Sequence, residues 1–233
     1  MYHRISRTDI KNFLSVREAD FKEQLIYLQH NGYTSILLSD VVNYVLHNTP
    51  LPPNPVLITF DDGYRDNYTI MYPLLKDYGI KANIFLVPAF LHHEQINPGD
   101  GDSVYLHLSD IQSMDPACVE YGLHSFDHKS YKNLSPKETD ADISLSRAML
   151  LSMGITFQPC LAFPYGSYPK ENTRQSDFFE VLHKSKIAAC FRIGNRLNAL
   201  PLKNRLLIQR LDVEHNVSLA KFDRMMRKGK RLF

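Results

Sequence analysis

The chain has 233 residues, of which 44% are hydrophobic and 22% are charged, and its formal net charge is +2. This length suits one α/β domain, and the apolar fraction excludes an intrinsically disordered chain. The small net charge argues against a nucleic-acid-binding protein, because such proteins usually carry a strongly basic face. We therefore expect a single globular domain that binds no nucleic acid.

Cysteine usage and the first residues indicate the compartment. The chain has three cysteines, Cys118, Cys160 and Cys190, and no Cys-x-x-Cys pair. An odd number without such a pair predicts reduced thiols rather than a disulfide framework. The N-terminus lacks the apolar core of a secretory signal, and no run of residues reaches the roughly 18 apolar positions of a membrane span. These features predict a cytoplasmic protein.

Short β-branched runs alternate with longer helical stretches, which is the pattern of βα units around a parallel sheet. Residues 18–31 have one apolar face and predict a helix. A second helix should begin at Ser135, because serine, proline and glutamate follow the spacing of a capping box, and should end at Gly154. The predicted strands are 34–38, 56–60, 82–87, 119–123, 160–163, 187–191 and 206–211. About seven such units predict an α/β fold, a distorted (β/α)7 barrel, with catalytic groups at the C-terminal ends of its strands.

Two adjacent carboxylates, Asp61 and Asp62, follow the predicted strand 56–60 and precede Gly63. At a bend, both side chains can approach one ion, and neighbouring carboxylates repel each other unless a cation or a proton lies between them. A metal site is therefore one interpretation. The other is an Asp-Gly turn whose carboxylates are solvated.

His124 and His128 follow the predicted strand 119–123 and lie four residues apart. This spacing lets two imidazoles reach one metal from a single turn of chain. The pair alone is a weak signal, because the chain has ten histidines. With Asp62 it forms a set of two histidines and one carboxylate, which leaves coordination positions open for water and substrate. We expect Ser125 and Asp127 to shape the metal-binding loop.

Three ordered motifs resemble those of the polysaccharide deacetylase family, also called the NodB-homology family or carbohydrate esterase family 4. They are Thr59-Phe60-Asp61-Asp62-Gly63, His124-Ser125-x-x-His128 and Phe163-Pro164-Tyr165-Gly166. The resemblance, which spans residues 1 to about 212, implies that Asp61 is the general base. It also implies that Asp62, His124 and His128 hold Zn²⁺ or another divalent ion such as Co²⁺, Mn²⁺ or Ni²⁺.

The third motif has a role of its own in the family. The resemblance implies that the Tyr165 backbone N–H stabilises the oxyanion that forms during hydrolysis, and that Pro164 and the Tyr165 ring contact the substrate. Without the other two motifs, the same residues would simply predict a rigid turn after a strand.

The sequence departs from the family pattern at two places. The family has an arginine two residues before the motif's proline, where this chain has Ala162. Arg210, at the end of the last predicted strand, is the candidate replacement, and we also include it among the substrate-binding residues; the alternative is an arginine that faces solvent.

The second departure concerns the acid that protonates the departing amine. The family's late Leu-x-His motif is absent, but Met1-Tyr2-His3 resembles the start of a circularly permuted subgroup, the poly-N-acetylglucosamine deacetylases. This resemblance makes His3 the acid, and the unperturbed imidazole pKa of about 6.5 suits that task. His215 is the reserve candidate.

The resemblance implies a metal-dependent deacetylase that hydrolyses the acetamide of an N-acetylated sugar, in a surface glycan or in its lipid-linked or nucleotide-linked precursor. Two alternatives stay open: a C–N hydrolase of a cyclic imide or ureide on the same fold, and a catalytically inert carbohydrate-binding homologue. Asp61 favours an enzyme, because binding alone needs no base beside the metal.

We divide the chain into a barrel, 1–215, and a basic C-terminal helix and tail, 216–233. The basic stretch fits a solvated helix, and it also fits peripheral attachment to an anionic membrane at its inner face. The sequence gives no indication of the oligomeric state.

Overall fold

The computed structural model describes residues 1–8, 12–92 and 104–230. Its strands are β1 (Arg4–Ser6), β2 (Ser15–Arg17), β3 (Thr34–Ser35), β4 (Pro55–Val56), β5 (Thr59–Asp62), β6 (Ala82–Leu86), β7 (Val119–Leu123), β8 (Cys160–Ala162), β9 (Ala189–Ile193) and β10 (Ile208–Arg210). Its α-helices are α1 (Glu18–His30), α2 (Leu38–His47), α3 (Tyr72–Tyr78), α4 (Leu108–Ser113), α5 (Pro136–Ser152), α6 (Asn172–Lys184) and α7 (Leu219–Lys228). A π-helical turn, Asn67–Met71, leads into α3.

Six strands form the main sheet in the order β10-β9-β8-β7-β6-β5, and each neighbouring pair is parallel. The segment Met1–Tyr2 lies between the two edges of this curled sheet. Tyr2 exchanges hydrogen bonds of 2.8 and 3.0 Å with β5, and Met1 exchanges bonds of 2.8 and 3.0 Å with the main chain just after β10. The segment thus occupies the position of a seventh stave. The predicted α/β barrel class is confirmed.

Alternate residues of the strands belong to two separate apolar clusters, as expected for a sheet that is buried on both faces. One cluster packs the outer helices against the sheet. The other contains Phe85 and Phe191 together with Leu38 and Val41 of α2. The start of α2 therefore fills the barrel at the N-terminal ends of the strands, and this leaves the opposite end for polar groups.

The buried side chain of Asn83 ties α2 to the sheet. It accepts the Leu38 N–H at 2.8 Å and donates to the carbonyls of Ile36 at 3.2 Å and Ile58 at 3.1 Å. The carboxylate of Asp40 caps the same turn by accepting the Leu37 N–H at 2.9 Å. These bonds explain why the strand predicted at 34–38 is too long: β3 ends at Ser35, and α2 begins at Leu38.

The two helices predicted from capping and periodicity are confirmed. α1 covers 18–30, and α5 begins after Ser135, whose hydroxyl and Glu138 carboxylate form the expected capping box. The predicted strands recur in the expected order, with shifted ends: the strand predicted at 56–60 is divided between β4 and β5, and the strand predicted at 187–191 begins at Ala189.

The basic C-terminal helix α7 packs on α1. Phe222 and Met225 are buried, the Phe222 ring meets the Tyr27 ring edge to face at 5.6 Å, and the Tyr27 hydroxyl donates to Asp223 at 2.9 Å. Residues 231–233 of the predicted tail lie outside the described residues, and the division at residue 215 stays a prediction. Among the helices described, none has the length and apolarity that crossing a membrane requires.

Candidate active site

Three potential metal ligands meet at the C-terminal ends of the strands. Asp62 ends β5, and His124 and His128 follow β7. Each offers one ligand atom, and these atoms all lie within 4.8 Å of one another. Asp62 Oδ1 is 3.5 Å from His124 Nε2 and 3.2 Å from His128 Nε2. The structure thus brings together the three residues that the sequence singled out as metal ligands.

Backbone bends direct these side chains inward. Asp62 has φ = 73°, Ser125 and His128 each have φ = 63°, and Tyr165 has φ = 59°. A non-glycine residue in this left-handed region costs on the order of 1–3 kcal/mol, and such residues cluster at functional sites. Four of them lie at the C-terminal ends of β5, β7 and β8, so they mark this end of the barrel as the site.

The group fits a divalent metal ion. Asp62 Oδ1 is buried and makes no well-aligned hydrogen bond within the described part of the chain. His124 Nδ1 lies 2.9 Å from the Ala162 carbonyl, so Nδ1 carries the proton and Nε2 is left as a ligand. Two imidazole nitrogens and one carboxylate oxygen are a donor set that suits Zn²⁺ and similar ions.

The pKa shifts agree with metal ligation. Burial lowers the pKa of His124, which favours the neutral imidazole that a metal binds. Burial alone raises the pKa of Asp62, but the neighbouring imidazoles of His128 and His124 outweigh it and the pKa is lowered. Both side chains are therefore held in the protonation state that coordination needs.

Beside this group lies a buried ion pair. Arg210 Nη1 and Nη2 donate to Asp61 Oδ1 at 2.6 Å and Oδ2 at 2.7 Å, and Nη1 also lies 3.3 Å from Thr59 Oγ1. Asp61 is 2% exposed and Arg210 is 6% exposed. Burial raises the pKa of Asp61, but the Arg210 guanidinium, aided by His124, outweighs it, so the pKa lies well below the ordinary carboxyl value. Asp61 is therefore an ionised carboxylate, 3.7 Å from His124 Nε2.

The two candidate acids lie in different surroundings. His3 directly follows the stave Met1–Tyr2; its side chain is half-buried and couples electrostatically to the carboxylates of Asp61, Asp62 and Asp212. The His215 side chain is exposed, and the main-chain N–H of His215 donates to the Phe13 carbonyl at 3.3 Å. His3 is therefore near enough to Asp61 and Asp62 for its charge to lower the pKa of both carboxyls.

Tyr165 stands at the mouth of the site. Its side chain is 67% exposed, yet its hydroxyl lies 3.1 Å from His128 Nδ1 and its ring centroid 4.7 Å from that imidazole. Pro164 is buried beneath the turn. Gly166, at φ = 62°, lies so close to Ile193 that a Cβ would approach the Ile193 nitrogen to 2.8 Å. Packing under the turn therefore fixes the backbone that presents Tyr165.

A row of rings forms one wall of the site. Phe90 lies 6.1 Å from His128 and 4.5 Å from Tyr105, and Tyr105 stacks on Tyr64 at 5.2 Å. The guanidinium of Arg4 covers the Tyr64 ring at 4.9 Å. Both faces of Tyr105 are thus covered by neighbouring rings, so the row serves as a packed wall that links Arg4 to the metal group.

Asp142, on α5, holds the loop that carries His128, and the sequence analysis missed it. Its carboxylate accepts the Ser125 hydroxyl at 2.9 Å, the Phe126 N–H at 3.0 Å and the Tyr131 hydroxyl at 2.5 Å. A signal existed in the sequence, because residues 139, 142 and 146 are polar and recur at helical spacing beside a buried isoleucine.

Of the two loop residues that we expected to shape the metal site, Ser125 bonds Asp142 and also accepts the Lys129 N–H at 3.0 Å. Asp127 pairs with Lys129 Nζ at 2.7 Å.

A family model described as polysaccharide deacetylase matches residues 48–182, more than half of the chain. This chain belongs to the polysaccharide deacetylase family. Members of the family are hydrolases that act on carbon–nitrogen bonds other than peptide bonds. The matched region contains Asp61, Asp62, His124, His128 and Tyr165.

Two relatives by sequence are similar over most of this family member. The YxkH protein of Bacillus subtilis (strain 168), named as a candidate polysaccharide deacetylase, is 29% identical over 76% of this chain and 59% of its own length. A poly-β-1,6-N-acetyl-D-glucosamine N-deacetylase of Staphylococcus aureus (strain MSSA476) is 26% identical over 71% of this chain and 58% of its own length. The chain thus spans less than two thirds of both relatives.

Solved structures share the fold of this family member. The deacetylase PplD of Streptococcus pyogenes, solved with acetate, superposes with a TM-score of 0.80 at 19% identity, over 99% of this chain and 96% of PplD. IcaB from Ammonifex degensii gives a TM-score of 0.74 at 21% identity, over 97% of this chain and 93% of IcaB. The similarity to both structures extends over nearly the whole chain, well beyond residues 48–182 that the polysaccharide deacetylase model matches.

Proposed function

We propose that this chain is a metal-dependent deacetylase that hydrolyses the acetamide of an N-acetylated sugar. The observation that carries the proposal is the position of Asp61: a buried carboxylate, paired with Arg210, lies 3.7 Å from a histidine of the Asp62-His124-His128 group. A binding protein has no need of an ionised carboxylate beside its metal. A hydrolase uses one as a general base.

Each residue has a step in the proposed reaction. A bound divalent ion would polarise the acetyl carbonyl and acidify a water. Asp61 accepts the proton of that water as its oxygen adds to the carbonyl carbon, and the Tyr165 N–H donates to the developing oxyanion. His3 then gives a proton to the sugar nitrogen as the C–N bond breaks, so that acetate and a free amine leave. Arg210 keeps Asp61 ionised and directed at the water.

Zinc is the proposed ion. Two imidazoles and one carboxylate with open positions are a ligand set of catalytic zinc sites. Asp62, His124 and His128 would hold it, with Co²⁺, Mn²⁺ or Ni²⁺ as substitutes that the same donors accept.

The proposed substrate is a polymer of N-acetylglucosamine or its lipid-linked or nucleotide-linked precursor. The name of the Staphylococcus aureus relative supports the first form. The exposed Tyr165 ring at the mouth supports a glycan, because sugar rings pack on aromatic faces. We place the reaction in the cytoplasm, where precursors are made, with the exposed cations Arg224, Arg227 and Lys228 of α7 available for an anionic membrane.

The direct test is acetate release by the zinc-loaded protein and by Asp61→Asn, measured with N-acetylglucosamine oligomers and with nucleotide-linked and lipid-linked N-acetyl sugars. We expect acetate from the wild type and a loss of at least about 10²-fold in the variant, because asparagine accepts no proton. Zinc content and thermal stability, measured in parallel, separate loss of chemistry from loss of folding. If no substrate gave acetate, a cyclic imide would be assayed next, and failure there too would leave an inert carbohydrate-binding protein.

The proposed acid has its own test. His3→Ala should lower deacetylation, whereas His215→Ala should retain it, because the His215 side chain is exposed. Wild-type turnover of His3→Ala together with an inactive His215→Ala would reverse the assignment.

A further inference from the structure

His3 is held by hydrogen bonds on both sides. On one side, Tyr2 is fixed to β5 by two main-chain bonds of 2.8 and 3.0 Å. On the other side, the fully buried Asn67 donates from Nδ2 to the His3 carbonyl at 2.9 Å. The position of the His3 imidazole is therefore determined by how firmly these two contacts hold its peptide groups.

The neighbouring Asp66 extends the second contact. Its Oδ1 accepts the Ile5 N–H at 3.0 Å, and its Oδ2 accepts Arg4 Nε at 2.9 Å. Asn67 Nδ2 also donates to Asp66 Oδ1 at 3.0 Å, so the two side chains act as one unit. The unit reaches the main chain of residues 3–5 by two bonds and the Arg4 side chain by a third.

The local backbone indicates a functional reason for this arrangement. Asp66 and Asn67 open the π-helical turn Asn67–Met71. A π-turn is rare and is frequently found at functional sites. In addition, the Oδ1 atom of Asn67 is buried without a partner among the described residues, which costs stability that an apolar side chain would not lose. Selection for stability alone does not explain a buried asparagine here.

We propose that Asp66 and Asn67 are positioning residues that set the His3 imidazole over Asp61 and Asp62. This inference rests on the proposed function, in which His3 is the acid. Neither side chain touches the metal group; both act through the main chain of residues 3–5. Neither Asp66 nor Asn67 belongs to a family motif identified in the sequence.

The test uses the leaving group. An amine leaves an N-acetyl sugar only with a proton from an acid, whereas 4-nitrophenolate leaves an acetate ester without one. A residue that positions the acid is therefore needed for the amide and dispensable for the ester. We expect Asn67→Ala to lower acetate release from N-acetylglucosamine oligomers by about 10²-fold, the loss typical of a misplaced catalytic group, and to leave 4-nitrophenyl acetate hydrolysis within about 2-fold of wild type.

A double variant tests whether Asn67 acts through His3. His3→Ala should show the same selectivity for the ester, and His3→Ala/Asn67→Ala should be no slower on the amide than His3→Ala alone, because residues that act as one unit are not additive. Asn67→Leu, which has the same branched shape but is apolar, replaces Asn67→Ala if the latter does not fold.

Asn83→Ala is the matched control. Asn83 is as buried as Asn67 and also bonds main-chain groups, but it lies at the opposite end of the barrel. Its loss should lower thermal stability and change amide and ester hydrolysis equally. Zinc content is measured for all variants.

The outcomes separate the two levels of the proposal. If His3→Ala is selective but Asn67→Ala lowers both reactions equally, or if the two losses add, the positioning role is wrong and the proposed acid stands. If His3→Ala itself shows no selectivity for the ester, His3 is not the acid and the positioning role falls with it. Selective and non-additive losses support both.

Discussion

Arg210 binds both carboxylate oxygens of Asp61, at 2.6 and 2.7 Å, although 149 positions separate the two residues in the chain. They come from β10 and β5, the two edges of the sheet, and the stave Met1–Tyr2 lies between these edges. The pair therefore crosses the seam at which the barrel closes. Arg210 therefore supplies a cation to Asp61 from the opposite edge of the sheet. The family pattern would instead place this arginine at position 162.

Replacement of Arg210 tests what the pair does. Arg210→Met leaves Asp61 as a buried charge without a partner, so we expect a loss of about 3–5 kcal/mol in the free energy of unfolding and an acetate-release rate lowered by about 10²-fold. Arg210→Lys keeps the charge but cannot bind both oxygens, and both losses should be smaller. Urea unfolding and kcat measurements check this order.

Arg192→Met is the control for Arg210. Arg192, on β9, bonds the Tyr168 hydroxyl at 3.1 Å and contacts neither Asp61 nor the metal group in the described structure. Its replacement should leave kcat close to wild type. Equal kcat values for Arg210→Met and Arg192→Met would show that the Asp61–Arg210 pair has no part in the reaction.

Metal binding should be separable from catalysis. Zinc added to the metal-free protein should raise the melting temperature, because a ligand at about 100 times its Kd stabilises the folded state by about 2.7 kcal/mol. His124→Ala removes a ligand and should abolish the shift, whereas Asp61→Asn should keep both the shift and the zinc content. Calorimetry and elemental analysis of the three proteins provide the measurement; equal metal loss in the two variants would contradict the separate roles.

Asp142 should affect the metal without touching it. Its carboxylate fixes Ser125, Phe126 and Tyr131 around His128, and partners that orient a metal-binding group typically contribute about 10–100-fold in affinity. Asp142→Asn should therefore weaken zinc binding by about that factor in a competition assay with a chelating dye. Asp140→Asn, an exposed position on the same helix, is the control and should bind zinc like wild type. Unchanged zinc affinity in Asp142→Asn would show that Asp142 does not orient the metal-binding loop.

The sequence allowed prediction of those parts of the site that depend on local order. Asp61 and Asp62 end one strand that periodicity reveals, and His124 and His128 follow another. The carboxyl ends of parallel strands lie at one end of the barrel, which brings these residues together. Arg210 could be suspected only because a cation was absent at Ala162, since nothing in its own neighbours indicates a contact 149 positions away. Asp142 was missed because the polar positions at helical spacing on its helix do not by themselves indicate which part of the chain they contact.

The fold shows the same difference between features set by local sequence and features set by distant contacts. α5 carries its own start signal in Ser135 and Glu138, so local sequence was sufficient. The start of α2 depends on Asn83 of a later strand, which bonds the Leu38 N–H, and the β-branched and apolar residues before it predict a longer strand instead. The stave Met1–Tyr2 is too short to show any period, and only its bonds to two edge strands define it.

The contact between α1 and α7 should depend on pH through Tyr27. Burial, together with the hydrogen bond to Asp223, raises the pKa of Tyr27 to about 12, compared with about 10 in an unfolded chain. Because the folded state favours the neutral phenol, its contribution to stability is fully present below about pH 10 and is lost as the pH rises through about 12. Urea unfolding between pH 8 and pH 12 should show wild type losing stability relative to Tyr27→Phe in that window.

Tyr33→Phe is the control. This change in the neighbouring ring, 6.3 Å away, leaves the Asp223 bond intact, so the variant should follow wild type. Parallel curves for wild type and Tyr27→Phe would mean that the phenol does not stabilise the docking of α7.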